Sequence, residues 1–318
     1  MTMTGALQVV ALAIGGGAVA AMLSSWVAAW RGFRPPAYRM GLAALGAPFA
    51  RGARLLTSPS RTLAKPDRLL WRSGPILAAS SVLLAYAVIP LGPGIVPIDL
   101  GLGLFYFIVI LGPLMVGFMN AGWAVNGKLD VVATVRAAAH IVAYEVTFGF
   151  AVLGAPMMAQ TLSTVGIVEA QQRVWFAVLQ PGSFAIYVVS ALFIAYRYPF
   201  DLPFGGPEIA GGVGREYGGI ERAIFVGARH ALLGATVAIG VVVFLGGWLG
   251  PVLPAPLWFV LKAVLLMGAF TALPLVLPRL RLDQMLTVAW KGLLPLSLAN
   301  IVVVGLTTFP AVAFGWIP

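Results

Sequence analysis

Eight long apolar stretches recur along the chain, at 5–29, 74–92, 101–125, 137–158, 174–195, 223–248, 256–277 and 289–310. A bilayer core about 30 Å thick is crossed by roughly 20 consecutive apolar residues in helix, and each stretch is of that order. In lipid every backbone N–H and C=O must bond within the structure, which leaves only helices and closed barrels as spanning forms. A barrel would read as alternating strands of about ten residues, and no such alternation occurs. The expected fold is therefore all-α, a polytopic membrane helical bundle of about eight transmembrane helices, with residues 1–318 as a single integral membrane domain. Composition agrees, at 60% hydrophobic residues and a mean hydropathy of +0.97.

The first stretch is rich in small residues, as secretory signals are. A signal carries its positive charge before the apolar core, whereas here the first basic residue, Arg31, follows it. It is expected to be an anchor. Lys and Arg concentrate in cytoplasmic loops, and here they fall on alternate connections. The segment 31–72 carries nine of the 20, with Lys128 and Arg136, then Arg197, Arg215 and Arg222, then Arg279, Arg281 and Lys291 on the same side; the opposite loops hold only Arg173. The expectation is a multi-pass protein of the bacterial plasma membrane, both termini on the outer side, with 31–72 and 196–222 cytoplasmic. Within 31–72, "YRMGLAALGAPFARGARLL" mixes apolar and basic positions as a cytoplasmic interfacial helix does. The net charge of +10 then belongs to the lipid bilayer surface. No soluble basic face for nucleic acid is present.

The chain has no cysteine and only two histidines, His140 and His230. That excludes iron–sulfur ligation and a metal site from this chain alone. The chemistry must rest on ionisable groups. By these spans Glu145, Arg229 and Lys262 lie at membrane depth, where charge is costly and marks functional candidates. A lysine near a helix end can snorkel; a glutamate in the middle of "HIVAYEVTFGF" needs a partner or water. Four of the ten acids, Asp201, Glu208, Glu216 and Glu221, sit in "YRYPFDLPFGGPEIAGGVGREYGGIER" at 196–222, an irregular backbone that must line water or be buried in protein.

That loop resembles one in the H subunit of bacterial NADH–quinone oxidoreductase, respiratory complex I, whose pattern is R-x-P-F-D-x-P-E-x-E-x-E-L-x-x-G-Y-x-x-E-Y-S-G. The similarity continues in order through "RSGP" and "VIPLGPG" at 72–95, "RAAAHIVAYEV" at 136–146, "FLGGW" at 244–248, "LWFVLK" at 257–262 and "PRLRLDQMLTVAWKGLLPLSLAN" at 278–300. The resemblance implies a quinone-site and proton-coupling membrane subunit. Glu145, Glu208, Glu216 and Asp201 would serve proton coupling, and Arg197, Arg39, Phe200 and Asp201 would line the quinone cavity. Quinone would be the substrate, with no cofactor bound by this chain and no metal. Iron–sulfur clusters and flavin would reside in partner subunits, among them an iron–sulfur-bearing cytoplasmic subunit and other membrane-arm subunits. Where the pattern has glutamates this chain has Phe204, Gly206 and, in the following helix, Arg229. The alternatives are the membrane subunit of an energy-converting hydrogenase-type complex and a secondary transporter, although no paired interrupted helices mark a repeat.

Overall fold

The computed structural model describes residues 3–30, 43–59, 66–197, 199–204, 212–277 and 280–314. Its helices are α1 (Met3–Trp30), α2 (Ala43–Thr57), α3 (Arg68–Tyr86), α4 (Gly103–Trp123), α5 (Lys128–Ala159), α6 (Thr164–Glu169), α7 (Phe176–Leu179), α8 (Pro181–Ile194), α9 (Gly219–Phe244), α10 (Ala255–Val276), α11 (Leu282–Thr287) and α12 (Leu294–Ala313). Among the described residues, seven helical segments are long and apolar enough to cross a membrane. The all-helical membrane bundle expected from the sequence is present.

The fifth expected span, 174–195, differs. It is broken at Gln180 into α7 and the 14-residue α8, which at 1.5 Å per residue rises only roughly 21 Å. Pro181 causes the break, since it has no N–H and its ring clashes with the preceding turn; it serves as the first residue of α8. The Gln180 side chain fills the gap, donating to the Gly154 carbonyl at 3.2 Å and accepting from Ser183 at 3.1 Å. Asn300 of α12 donates to the same serine at 2.7 Å. Ahead of α12, residues 288–293 widen into a π turn just before Pro295. The ring of Pro295 would otherwise clash with the carbonyl of Lys291.

Small residues set the helix spacing, as expected where lipid supplies no hydrophobic drive between helices. A methyl group on Gly117 of α4 would lie 2.8 Å from the Ala78 nitrogen of α3. Gly234 of α9 and Gly16 of α1 meet over Tyr86, whose hydroxyl donates to the Ala231 carbonyl at 2.8 Å. The expected interfacial helix is α2, packed on α1 and α9. Arg51 donates to Ser25 of α1 at 3.1 Å, and Ser58 accepts from the Gly219 nitrogen at 3.3 Å.

Candidate functional site

Beyond α8 the chain turns sharply. Tyr196 takes a left-handed φ of 48°, unusual for an aromatic residue and tolerated only where surroundings fix it. Its ring is fully buried, stacked 4.8 Å from His140 of α5 and edge-on to Phe118 of α4 at 5.5 Å, with its hydroxyl directed at the Met115 sulfur, 2.8 Å away. His140 donates from Nε2 to the Phe200 carbonyl at 3.0 Å, because a carbonyl can only accept. Phe200 packs on Phe193, which stacks on Tyr144 at 3.5 Å. The first part of the acidic loop is thus folded into the bundle.

Charge gathers around Tyr196. Arg229 of α9 donates through Nη2 to the Tyr196 carbonyl at 2.8 Å, and its guanidinium lies 4.2 Å from the ring centre of Phe204. Burial pushes the Tyr196 hydroxyl well above the usual phenol range; Arg229 pulls it down and Glu145 pushes it further up. Glu145 and Arg229 therefore both act on one buried tyrosine, with opposite sign. Glu145 is half-buried in α5 facing α4, where a methyl group on Gly112 would sit 3.8 Å from its Oε1. Arg197 has Nε and Nη2 buried with no hydrogen bond among the described residues. Burial, with Arg229 beside it, pushes its guanidinium down to about 9, and Asp201 opposes the shift. Asp201 is thus shared between the two arginines.

The far end of the loop is anchored separately. Tyr217 stacks on Trp71 of α3 with centroids 3.7 Å apart and donates to the Trp71 carbonyl at 3.1 Å. Burial raises its hydroxyl, and Glu221 adds to the effect. Glu216 and Arg215 come within electrostatic reach of Asp130, at the start of α5.

Two cavities meet here. The larger, about 1100 Å³, opens between α1, α2, α3 and α9 and is walled mainly by apolar groups such as Ile14, Phe49 and Leu83, with Arg51, Arg54 and Arg222 among its lining. The smaller, about 130 Å³, is lined by Phe204, Arg215, Arg222, Phe225, Arg229 and His230. Arg222, Val226 and His230 border both. His230 donates from Nδ1 to the Val226 carbonyl at 2.7 Å.

Of the residues singled out by sequence, Arg197, Phe200, Asp201 and Arg229 come together, with Glu145 within electrostatic reach of Tyr196. Glu216 stands apart, at the Asp130 end of the loop. Lys262 has a different setting: its ammonium donates to the carbonyls of Leu245 at 2.6 Å, Gly247 at 3.1 Å and Leu249 at 2.7 Å and lies 4.3 Å from the Trp175 ring. It closes the end of α9. Arg39 and Glu208 lie outside the described residues. The sequence reading missed Tyr196, Phe204, Arg222 and His230; the aromatic density of "YRYPFDLPF" was the one available signal.

The profile of the NADH dehydrogenase family matches residues 4–305. Among curated proteins, the NADH-quinone oxidoreductase H 2 subunit of Rhizobium meliloti (strain 1021) is 38% identical over 65% of this chain and 64% of its own length. The H 2 subunit of Rhodopseudomonas palustris (strain ATCC BAA-98 / CGA009) is 39% identical over 64% of each, and the H subunit of Geobacillus thermodenitrificans (strain NG80-2) is 39% identical over 64% of this chain and 63% of its own. The matched region thus spans just under two thirds of these relatives. With the family profile covering nearly all of the described bundle, the chain belongs to the NADH dehydrogenase family.

Proposed function

We propose that this chain is a quinone-site and proton-coupling membrane subunit of a complex I-like NADH–quinone oxidoreductase. The observation that carries this reading is the pair of adjoining cavities. An apolar chamber large enough for an isoprenoid chain runs between α1, α2, α3 and α9 to a small polar end beside Arg229, and ligand sites commonly combine apolar walls with a few convergent polar groups. The electrons come from iron–sulfur clusters and a flavin in partner subunits, the last of them in a cytoplasmic subunit seated near 196–222, with other membrane-arm subunits alongside.

Reduction of a quinone places negative charge at its ring oxygens before protons arrive. Charge appearing beside Arg229 competes with Asp201 and with the Tyr196 carbonyl for the guanidinium. Any movement of Arg229 changes the field at Tyr196, which Glu145 also influences. Glu145 and the loop acids Asp201, Glu208 and Glu216 are the groups whose proton occupancy answers that change.

The test is to purify the tagged chain from its membranes, assay NADH–quinone reduction, and measure proton uptake in sealed vesicles. Copurified iron–sulfur subunits and a Glu145→Gln variant that assembles but loses most proton translocation support the reading. Recovery of hydrogenase subunits instead would favour the related hydrogenase-type complex. Recovery of the chain alone would favour a transporter.

A further inference from the structure

Among the described residues, neither cavity is lined by a carboxylate, whereas Arg51, Arg54, Arg215, Arg222 and Arg229 line one or both. Of the acids nearby, Asp201 is within electrostatic reach of Arg197 and Arg229, and Glu216 of Asp130. Phe204 puts an aromatic face, not a charge, against Arg229. A face of the Arg229 guanidinium is thereby covered while Nη2 is held by the Tyr196 carbonyl, and the residue lines the small cavity. Arg222 is held in a similar way, donating to the Arg215 carbonyl at 2.8 Å. Fixed guanidinium forks in a partly desolvated pocket favour an anion over a neutral oxygen, since charge-assisted hydrogen bonds are about twice as strong as neutral ones.

We infer that the small cavity is an anion subsite, and that the ligand it selects is a quinone bearing an ionised ring hydroxyl, its chain lying in the large cavity. This rests on the quinone reading above and narrows it to a substrate class. The groups lining the small cavity are Arg222, Arg229 and His230 from α9 and Arg215 from the loop, with Arg197 and Asp201 within electrostatic reach of Arg229, and Arg51 and Arg54 of α2 line the large cavity.

The assembled complex is placed in nanodiscs of phosphatidylcholine, and equilibrium dialysis compares a long-chain alkyl hydroxynaphthoquinone, ionised at neutral pH, with its uncharged methyl ether. The expected result is binding of the anion about tenfold tighter than the ether, a ratio that falls toward one in Arg229→Gln and, should that variant assemble poorly, in Arg222→Gln. Equal affinities for both ligands would overturn the inference while leaving the quinone site standing. Absence of saturable binding for both ligands and for a neutral quinone would instead remove the quinone reading itself. Displacement of the hydroxyquinone by phosphatidylglycerol at concentrations where phosphatidylcholine has no effect would assign the anion subsite to a lipid headgroup and overturn the inference.

Discussion

Arg229 donates to the carbonyl oxygen of Tyr196 at 2.8 Å, joining α9 to the left-handed turn that carries the start of the acidic loop into the bundle. The same guanidinium stands over Phe204, so one side chain holds both ends of the segment 196–204. Replacing it by Gln removes a charge-assisted hydrogen bond and a cation–π contact. Together these are worth about 2 kcal/mol, and the unfolding midpoint of the purified protein in detergent should fall accordingly. Arg229→Lys retains the charge without the planar fork and should recover only part of the loss.

Tyr217 and Trp71 make the second anchor. Tyr217→Phe loses the hydrogen bond to the Trp71 carbonyl but keeps the stack, at a cost of about 1 kcal/mol. Tyr217→Ala loses both. Hydrogen exchange at 212–218 should rise slightly in the first variant and steeply in the second. Equal protection in the wild type and Tyr217→Ala would show that another contact holds the loop.

Arg197 should oppose stability. Its guanidinium is pushed down to about 9 from its ordinary value, chiefly by burial. For a cation the charged form is then disfavoured in the folded state, and between the lowered and the ordinary value the unfolded chain binds the more protons. Stability therefore rises with pH across that window, and at neutral pH, with both states protonated, the full cost is present. Arg197→Gln should raise the thermal midpoint and flatten its alkaline rise. A lower midpoint would show that Arg197 is held by partners that outweigh its burial.

The helices were legible because apolar length is a strong signal and lipid leaves the backbone few choices. The break at Gln180 was not, since hydropathy averages over Pro181 and treats 174–195 as one run. The interfacial helix could be read from its mixed apolar and basic positions. Glu145, Arg229 and Asp201 stood out as rare charges, but Tyr196 did not: tyrosine is an ordinary membrane residue, and its importance comes from a left-handed φ and from neighbours 56 residues earlier in His140 and 33 later in Arg229. Lys262 was legible as buried charge; that three carbonyls at the end of α9 receive it is a tertiary fact. No spacing in the sequence reveals a cavity that four separate helices enclose.

The Lys and Arg distribution predicts α2 and the acidic loop on the cytoplasmic side. The chain has no cysteine of its own, so single cysteines report cleanly. Thr57→Cys and Arg215→Cys should resist a membrane-impermeant maleimide in intact cells, and Gln172→Cys should react. Labelling of the first two from outside, with Gln172→Cys protected, would invert the topology.

The most direct measurement is photolabelling of the assembled complex with an azido-quinone carrying an isoprenoid tail, followed by peptide mapping of this chain. The expected result is label, displaced by excess unlabelled quinone, in peptides of α1, α2 and α9 that contain Ile14, Phe49 and Val226, residues that line the large cavity. Label confined to α10 and α12, or label that excess quinone does not displace, would contradict a quinone site in the cavity between α1, α2, α3 and α9.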